Sequence, residues 1–263
     1  MEGRTVAWRR LGDPALPPLL LLNGYAATSL DWDPAFLDRL GEGWDVIAPD
    51  NRGMGGSDLG EGELTIAGMA DDAIAVLDAL GLERAAVAGW SMGGFVAQEL
   101  AAGAPQRVSS LALMATDPGA EAERASPEVW AELTDHGGDP TEQARRLLGL
   151  LFPPDFARAI FEQFGDVVAA ARAALDPAAL DAQERAMEAW HEAPGLDRLE
   201  EIALPSVVIT GELDRVIPPG NAELLAGAIP GAGSHALSGC GHALMAQQPA
   251  RAAELIAGLR DRA

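Results

Sequence analysis

The sequence predicts an α/β fold, a mostly parallel, doubly wound sheet with helices on its faces, and three observations point to it. Short apolar runs bounded by Gly, Pro, Asn or Asp alternate with stretches of helical periodicity in the first half of the chain and again near its end. Between those two parts, residues 117–198 carry helical periodicity alone. A Gly-Trp-Ser-Met-Gly turn, residues 89–93, falls where one of the apolar runs gives way to a helix.

Taken in order, residues 18–22, 44–48, 85–89 and 108–115 read as strands, because runs of this length with no polar alternation suit a sheet covered on both faces. Ile66, Met69, Ala70, Ile74, Leu77 and Leu80 recur at helical spacing, and Gly81 follows at the position a helix C-terminus favours. A second helix is expected over residues 95–102. In the middle third, Ser126-Pro127, Asp139-Pro140 and Asp176-Pro177 each place a capping side chain before a proline at the first helical position, and Glu142 completes a capping box with Asp139. The strand pattern resumes at residues 205–210, with a helix near 221–228, a strand near 234–237 and a last helix over 248–259. One core domain, residues 1–116 and 199–263, is therefore expected, with residues 117–198 set into it as a helical cap. At 263 residues the chain is long enough to bury a substantial core, and its 48% hydrophobic content suits a globular fold.

Composition excludes several function classes. Forty acidic residues against eighteen basic ones give a formal charge of -22, which repels phosphate backbones and anionic lipid headgroups, so neither nucleic acid nor a membrane surface is an expected partner. All eighteen basic residues are arginine. Without lysine there is no Schiff-base or pyridoxal phosphate chemistry and no Walker-type phosphate site. The single cysteine, Cys240, allows neither an intrachain disulfide nor a cysteine-based zinc cluster. Residues 1–13 lack the apolar stretch of a secretory signal, and the Leu run 19–22 is too short to span a bilayer, so a cytoplasmic location is the expectation.

Ser91 sits at the centre of the Gly-x-Ser-x-Gly turn. Small residues two positions either side let the backbone close tightly, lifting the hydroxyl clear of the sheet, and the following helix N-terminus aims the Met92 N–H at a developing oxyanion. A serine hydroxyl needs a base, and the base needs a carboxylate to orient it. Of four histidines, His136 and His191 lie in the helical insertion and His235 inside a strand. His242 falls in the glycine-rich loop 238–242 just after the last strand, at the carboxyl edge where sites of open α/β sheets assemble. Two carboxylates, Glu212 and Asp214, follow the preceding strand. Asp214 is favoured because the chain must turn at Gly211 before a carboxylate can reach an imidazole. Cys240 lacks a separate base once His242 is assigned and reads as a small buried apolar filler.

These residues carry a resemblance. The chain is identified as a member of the α/β-hydrolase superfamily, similar to its small soluble esterases, enol-lactonases and cofactor-free haloperoxidases, with the cap inserted after strand 6 of the family's count. The order Ser91, Asp214, His242 matches that of the family. Residues 50–57, Asp-Asn-Arg-Gly-Met-Gly-Gly-Ser, resemble the family's Asp-x-Arg-Gly-x-Gly-x-Ser turn, with a further glycine at its last variable position, and imply a structural role for Arg52. Where relatives usually read His-Gly, this chain has Asn23-Gly24-Tyr25, so the resemblance gives the second oxyanion amide to Tyr25 and replaces the loop-anchoring histidine with Asn23.

The resulting expectation is a serine hydrolase cleaving a small, mainly apolar carboxyl ester or lactone through an acyl-enzyme, with no cofactor and no metal. Trp90 beside the nucleophile and Trp130, Phe152 and Trp190 of the cap are the expected pocket walls, and Arg145 or Arg146 could bind one carboxylate of a substrate. Two rivals share the same residues. One is carbon-carbon bond hydrolysis or perhydrolysis on the same triad; the other is a non-catalytic ligand-binding member of the fold.

Overall fold

A computed structural model describes residues 4–260. Among the described residues seven strands form one sheet: β1 (Trp8–Leu11), β2 (Pro18–Leu22), β3 (Asp45–Pro49), β4 (Ala85–Trp90), β5 (Val108–Met114), β6 (Ser206–Gly211) and β7 (Gly233–Leu237), in the spatial order β1-β3-β2-β4-β5-β6-β7. Only β1 runs antiparallel, against β3; every other neighbour pair is parallel. The sheet is that of an α/β-hydrolase fold.

Strand β1 and the helix α1 (Pro34–Gly41) are additions to the sequence reading. The strand hides its nature because it is an edge strand of alternating exposure carrying two arginines, one of which, Arg10, forks onto Asp45 of β3 at 2.6 Å. Helix α1 uses the same cap-then-proline device seen in the insertion, with the Asp33 side chain accepting from the Phe36 N–H.

The remaining core helices are α2 (Ile66–Ala79), which flanks β3 and β4 in sequence, and α3 (Met92–Gly103), which begins directly after Ser91 rather than at residue 95. Strand alternation sends side chains to two separate cores. Leu20, Leu22, Val87, Leu111 and Val208 pack under α2 and α3, whereas Leu19, Leu21, Ala88, Ala112 and Ile209 pack with Phe36 and Leu40 of α1 on the opposite face. Burying one leucine side chain stabilises by about 1.5–3 kcal/mol, so a Leu run buried on both faces fixes the central strand firmly.

Between β5 and β6 the chain forms α4 (Pro127–Leu133), α5 (Pro140–Leu151), α6 (Pro154–Ala173), α7 (Pro177–Glu192) and α8 (Leu196–Leu199). The starts follow the sequence signals: Ser126, Asp139 and Asp176 each accept a backbone N–H of the first turn, and Asp139 and Glu142 form the capping box. Helix α9 (Gly220–Ala228) separates β6 from β7, and α10 (Leu244–Gln247) and α11 (Pro249–Ala257) close the chain. Among the described residues no helix is long and apolar enough to cross a membrane.

Because the strands from β2 onward are parallel, the loops after β2, β4, β5, β6 and β7 all emerge at one edge. The chain winds outward in opposite directions from β2 and β4, so that edge carries the crevice where such sheets bind ligands.

Candidate active site

Ser91 occupies the turn from β4 into α3 with φ 55° and ψ -124°, a conformation that costs a non-glycine residue about 1–3 kcal/mol. Three bonds hold it there: Ser91 N–H donates to Met114 O (2.9 Å), and the Ser91 carbonyl accepts from Gly94 N (2.7 Å) and Thr116 Oγ1 (2.9 Å). The flanking glycines are demanded by backbone approach. A Cβ on Gly89 would lie 2.2 Å from Gly93 O, and one on Gly93 would lie 2.2 Å from Leu22 O.

His242 and Asp214 meet across the loops after β7 and β6. Nδ1 of His242 lies 2.8 Å from Asp214 Oδ2, with the two side chains 3% and 0% exposed. The other oxygen, Asp214 Oδ1, accepts the N–H groups of Val216 and Ile217, both at 2.9 Å. A carboxylate so fully engaged holds the Nδ1–H tautomer, which leaves the lone pair on Nε2. The imidazole packs against Trp90, ring centres 5.4 Å apart, and its backbone carbonyl accepts the Trp90 indole N–H at 3.0 Å. Glu212, two residues before Asp214, is exposed and points elsewhere, accepting from Ser238 Oγ (2.8 Å) and Gly239 N (3.2 Å), bonds that lower its pKa. Cys240 is buried among Leu237, Ala243 and Leu244, and burial pushes its thiol pKa up.

The loop after β2 stands beside Ser91: a Cβ on Gly24 would lie 3.3 Å from Ser91 Cβ. Asn23 anchors this loop, its Nδ2 donating to Pro49 O at 2.6 Å while its carbonyl accepts from Asn51 Nδ2 at 3.0 Å. Among the described residues the backbone N–H groups of Tyr25 and Met92 make no turn or loop hydrogen bond to another backbone carbonyl. The Tyr25 hydroxyl donates to Glu184 Oε1 of α7 at 2.5 Å, and burial together with that carboxylate pushes its pKa up. In the 50–57 turn, Asp50 accepts from Ser29 N and Gly56 N, and Arg52 pairs with Asp72 of α2 at 2.5 Å, away from the cavity.

A cavity of about 300 Å³ opens onto Ser91. Its walls are Phe95 of α3, Trp130 and Leu133 of α4, Met187 of α7, and Val216 and Ile217 after β6. Of the four aromatic residues expected there, Trp130 lines it, and three do not. Trp90 is turned to the opposite core, edge-on to Trp32 at 5.9 Å, because its indole N–H finds its acceptor at His242 O. Phe152 packs on Phe156 at 5.0 Å. Trp190 lies behind the wall, stacked on Phe95 at 5.1 Å, its N–H given to Asp117 Oδ1 at 3.3 Å. Arg145 and Arg146, either of which could have met a substrate carboxylate, are engaged elsewhere: Arg145 lies over Phe161 at 4.5 Å and Arg146 pairs with Asp135 at 3.2 Å.

Three cavity residues carried no sequence signal. Arg124 reaches the cavity with its guanidinium 6.0 Å above Trp130, and Asp117 and His191 line it as a pair, Oδ2 to Nε2 3.0 Å, from positions 74 residues apart. Among the described residues His136, Asp181 and Glu184 bring one metal-ligating atom each within 4.8 Å of the others, although Glu184 already takes the Tyr25 hydroxyl and the His136 imidazole.

Comparison with known proteins fits this geometry. The family model described as alpha/beta hydrolase fold matches residues 17–249. The chain is 29% identical to a pimeloyl-[acyl-carrier protein] methyl ester esterase of Aeromonas hydrophila subsp. hydrophila, over 91% of this chain and 94% of that one. Among solved structures it is similar to a hydrolase from Pseudomonas aeruginosa PA01 (30% identity, TM-score 0.81, 98% of this chain and 95% of that). It is also similar to the enol-lactonase from Burkholderia xenovorans LB400 (25% identity, TM-score 0.82, 99% and 98%).

Proposed function

The chain belongs to the α/β-hydrolase fold family, and from that premise we propose that it is a serine hydrolase cleaving a small, mainly apolar carboxyl ester or lactone through an acyl-enzyme. The observation that carries the proposal is the buried 2.8 Å contact between His242 Nδ1 and Asp214, on the same sheet edge as the strained Ser91 turn.

In this reading His242 Nε2 takes the Ser91 proton as Oγ attacks the carbonyl carbon, and Asp214 stabilises the imidazolium that forms. The oxyanion accepts the N–H groups of Met92 and Tyr25. Collapse of the tetrahedral intermediate expels the alcohol, which takes the proton from His242. Water then attacks the acyl-enzyme with the same base, and the carboxylic acid leaves. No step calls on a metal or an organic cofactor.

The apolar walls and a volume at the low end of small-molecule sites, about 300–1,000 Å³, favour a short to medium acyl or alkyl group. The names of the Aeromonas esterase and the Burkholderia lactonase agree with ester or lactone chemistry in relatives. The direct test is fluorophosphonate labelling beside a panel of nitrophenyl esters of rising acyl length and simple lactones. Labelling and turnover that vanish in Ser91→Ala are expected. Folded wild-type protein that is neither labelled nor active, or labelling that survives in Ser91→Ala, overturns the proposal.

A further inference from the structure

The loop that bears the Tyr25 amide is held by more than the core. Ala26, the next residue, sits at φ 55° without being glycine, a conformation that persists only where its surroundings impose it. Its N–H donates to Oε1 of Gln183 on α7 at 3.0 Å. The same side chain donates from Nε2 to Arg52 O at 3.1 Å, and it is 0% exposed. One buried amide thus uses both of its ends to tie the loop after β2 to the loop after β3. Around it, α7 lies hard against both loops: Glu184 takes the Tyr25 hydroxyl, and a Cβ on Gly53 would meet Ala179 Cβ at 2.4 Å.

Geometry makes this more than packing. The Gln183 bond fixes the peptide plane between Tyr25 and Ala26, hence the ψ angle of Tyr25, while Glu184 fixes the end of its side chain. Gly24 on the other side rests against Trp90 and Ser91. With both flanks pinned, the direction of the Tyr25 N–H has little freedom. A donor held in advance toward a developing oxyanion costs nothing to reorganise at the moment of reaction, whereas a loose one does.

We propose that Gln183 is a positioning residue that sets the Tyr25 N–H for the oxyanion, so that the inserted helices govern the rate of the chemical step as well as the choice of substrate. The inference rests on the serine-hydrolase reading above.

The test compares steady-state kinetics of the full chain on one nitrophenyl ester with the affinity of an alkyl boronic acid, whose serine adduct mimics the tetrahedral intermediate. Losing an oxyanion donor outright costs about 10²–10³ in kcat, and a misdirected one less. Gln183→Met, close in shape but without the bonds, is expected to lower kcat about 10–50-fold with KM within about 2-fold, and to weaken the boronic acid by a factor close to that in kcat. Should that variant not fold, Gln183→Ala, which leaves room for water at the orphaned groups, gives the same comparison.

Gln183→Glu provides the rescue. At a fully buried position the carboxyl stays protonated well above its ordinary pKa, so its carbonyl accepts from Ala26 and its O–H donates to Arg52. Its kcat relative to wild type is expected to be near unity at low pH and to fall as pH rises through that raised value. Leu148→Ala, in the core of the insertion on α5, lowers stability without touching these bonds and is expected to leave kcat per titrated active site unchanged. Wild-type kcat in Gln183→Met, a loss that follows only the titre of active sites, or unchanged boronic acid affinity overturns the inference and leaves the hydrolase reading standing. A folded wild-type protein inert toward every ester and lactone and unlabelled by the fluorophosphonate overturns both.

Discussion

Ser91, Asp214 and His242 stand on loops that leave the ends of parallel strands, whereas Trp130, Met187 and His191 stand on helices threaded between β5 and β6, and the two groups are placed by different physics. The strand-end residues are placed by the backbone. Register fixes where each strand stops, tight approaches such as Gly93 on Leu22 O fix how it turns, and the side chain has one direction left to take. The helical residues are placed by side-chain packing, in which an indole turns toward whichever acceptor it can reach, as Trp190 does toward Asp117. Substitutions in the first region are therefore expected to change chemistry, and those at the cavity walls of the second to change selectivity or stability, with Gln183 the one helical residue expected to act on the chemical step.

The largest expected effect sits within the strand-end group. Asp214→Asn keeps the shape but offers His242 the wrong tautomer, and kcat is expected to fall about 10⁴-fold. Glu212→Gln, two residues earlier and exposed, is expected to stay within about 2-fold, since a surface carboxylate bracing a loop contributes little. Steady-state rates at fixed pH decide it. A large loss at Glu212 would mean that the imidazole changes partners during turnover, and the contrast between the two carboxylates would collapse.

Legibility in the sequence divides along the same line. The Gly-x-Ser-x-Gly turn, the carboxylate after Gly211 and the histidine in a glycine-rich loop are local patterns, and the strand ends bring them to one edge. The helix starts of the insertion were equally readable, because caps are made by neighbours in sequence. Strand β1 was not, since an edge strand with two arginines shows no apolar run. Which aromatic residues face the cavity was not readable either: Trp90 and Trp190 are turned by hydrogen bonds to residues 152 and 73 positions away. Gln183 gives no sequence signal at all, since its two bonds reach 157 and 131 residues back along the chain.

Within the helical group, two aromatic residues sharpen the contrast between wall and filler. Trp130→Ala removes a face of the cavity, and kcat/KM for longer acyl groups is expected to rise relative to short ones by about 10-fold, the scale at which a pocket discriminates by size. Phe152→Ala is expected to leave the acyl-length profile unchanged and to destabilise by about 1–3 kcal/mol, less than for a fully buried phenylalanine because Phe152 is half-buried. The ester panel and thermal unfolding of both variants settle the matter. A shifted acyl profile in Phe152→Ala would show that the cavity extends past α5.

The smallest effect separates the regions by charge alone. Residues 117–198 carry seventeen acidic side chains against seven arginines, while the rest of the chain, more than twice as long, carries twenty-three against eleven. Self-repulsion is therefore denser in the insertion, and raising salt from about 0.01 M to about 1 M shrinks the screening length from about 30 Å to about 3 Å. Screening also weakens ion pairs, but those on the insertion surface, such as Arg158 with Asp155, are exposed, and exposed pairs contribute only about 0–1 kcal/mol each. The relief of repulsion is thus expected to outweigh that loss. The unfolding midpoint should rise by about 2–4 °C, which corresponds to roughly 1 kcal/mol in a chain of this size. Limited proteolysis within residues 117–198 should slow by a larger factor than cleavage in the sheet-bearing core. Equal slowing of both would assign the gain to the molecule as a whole and remove charge from what distinguishes the two regions.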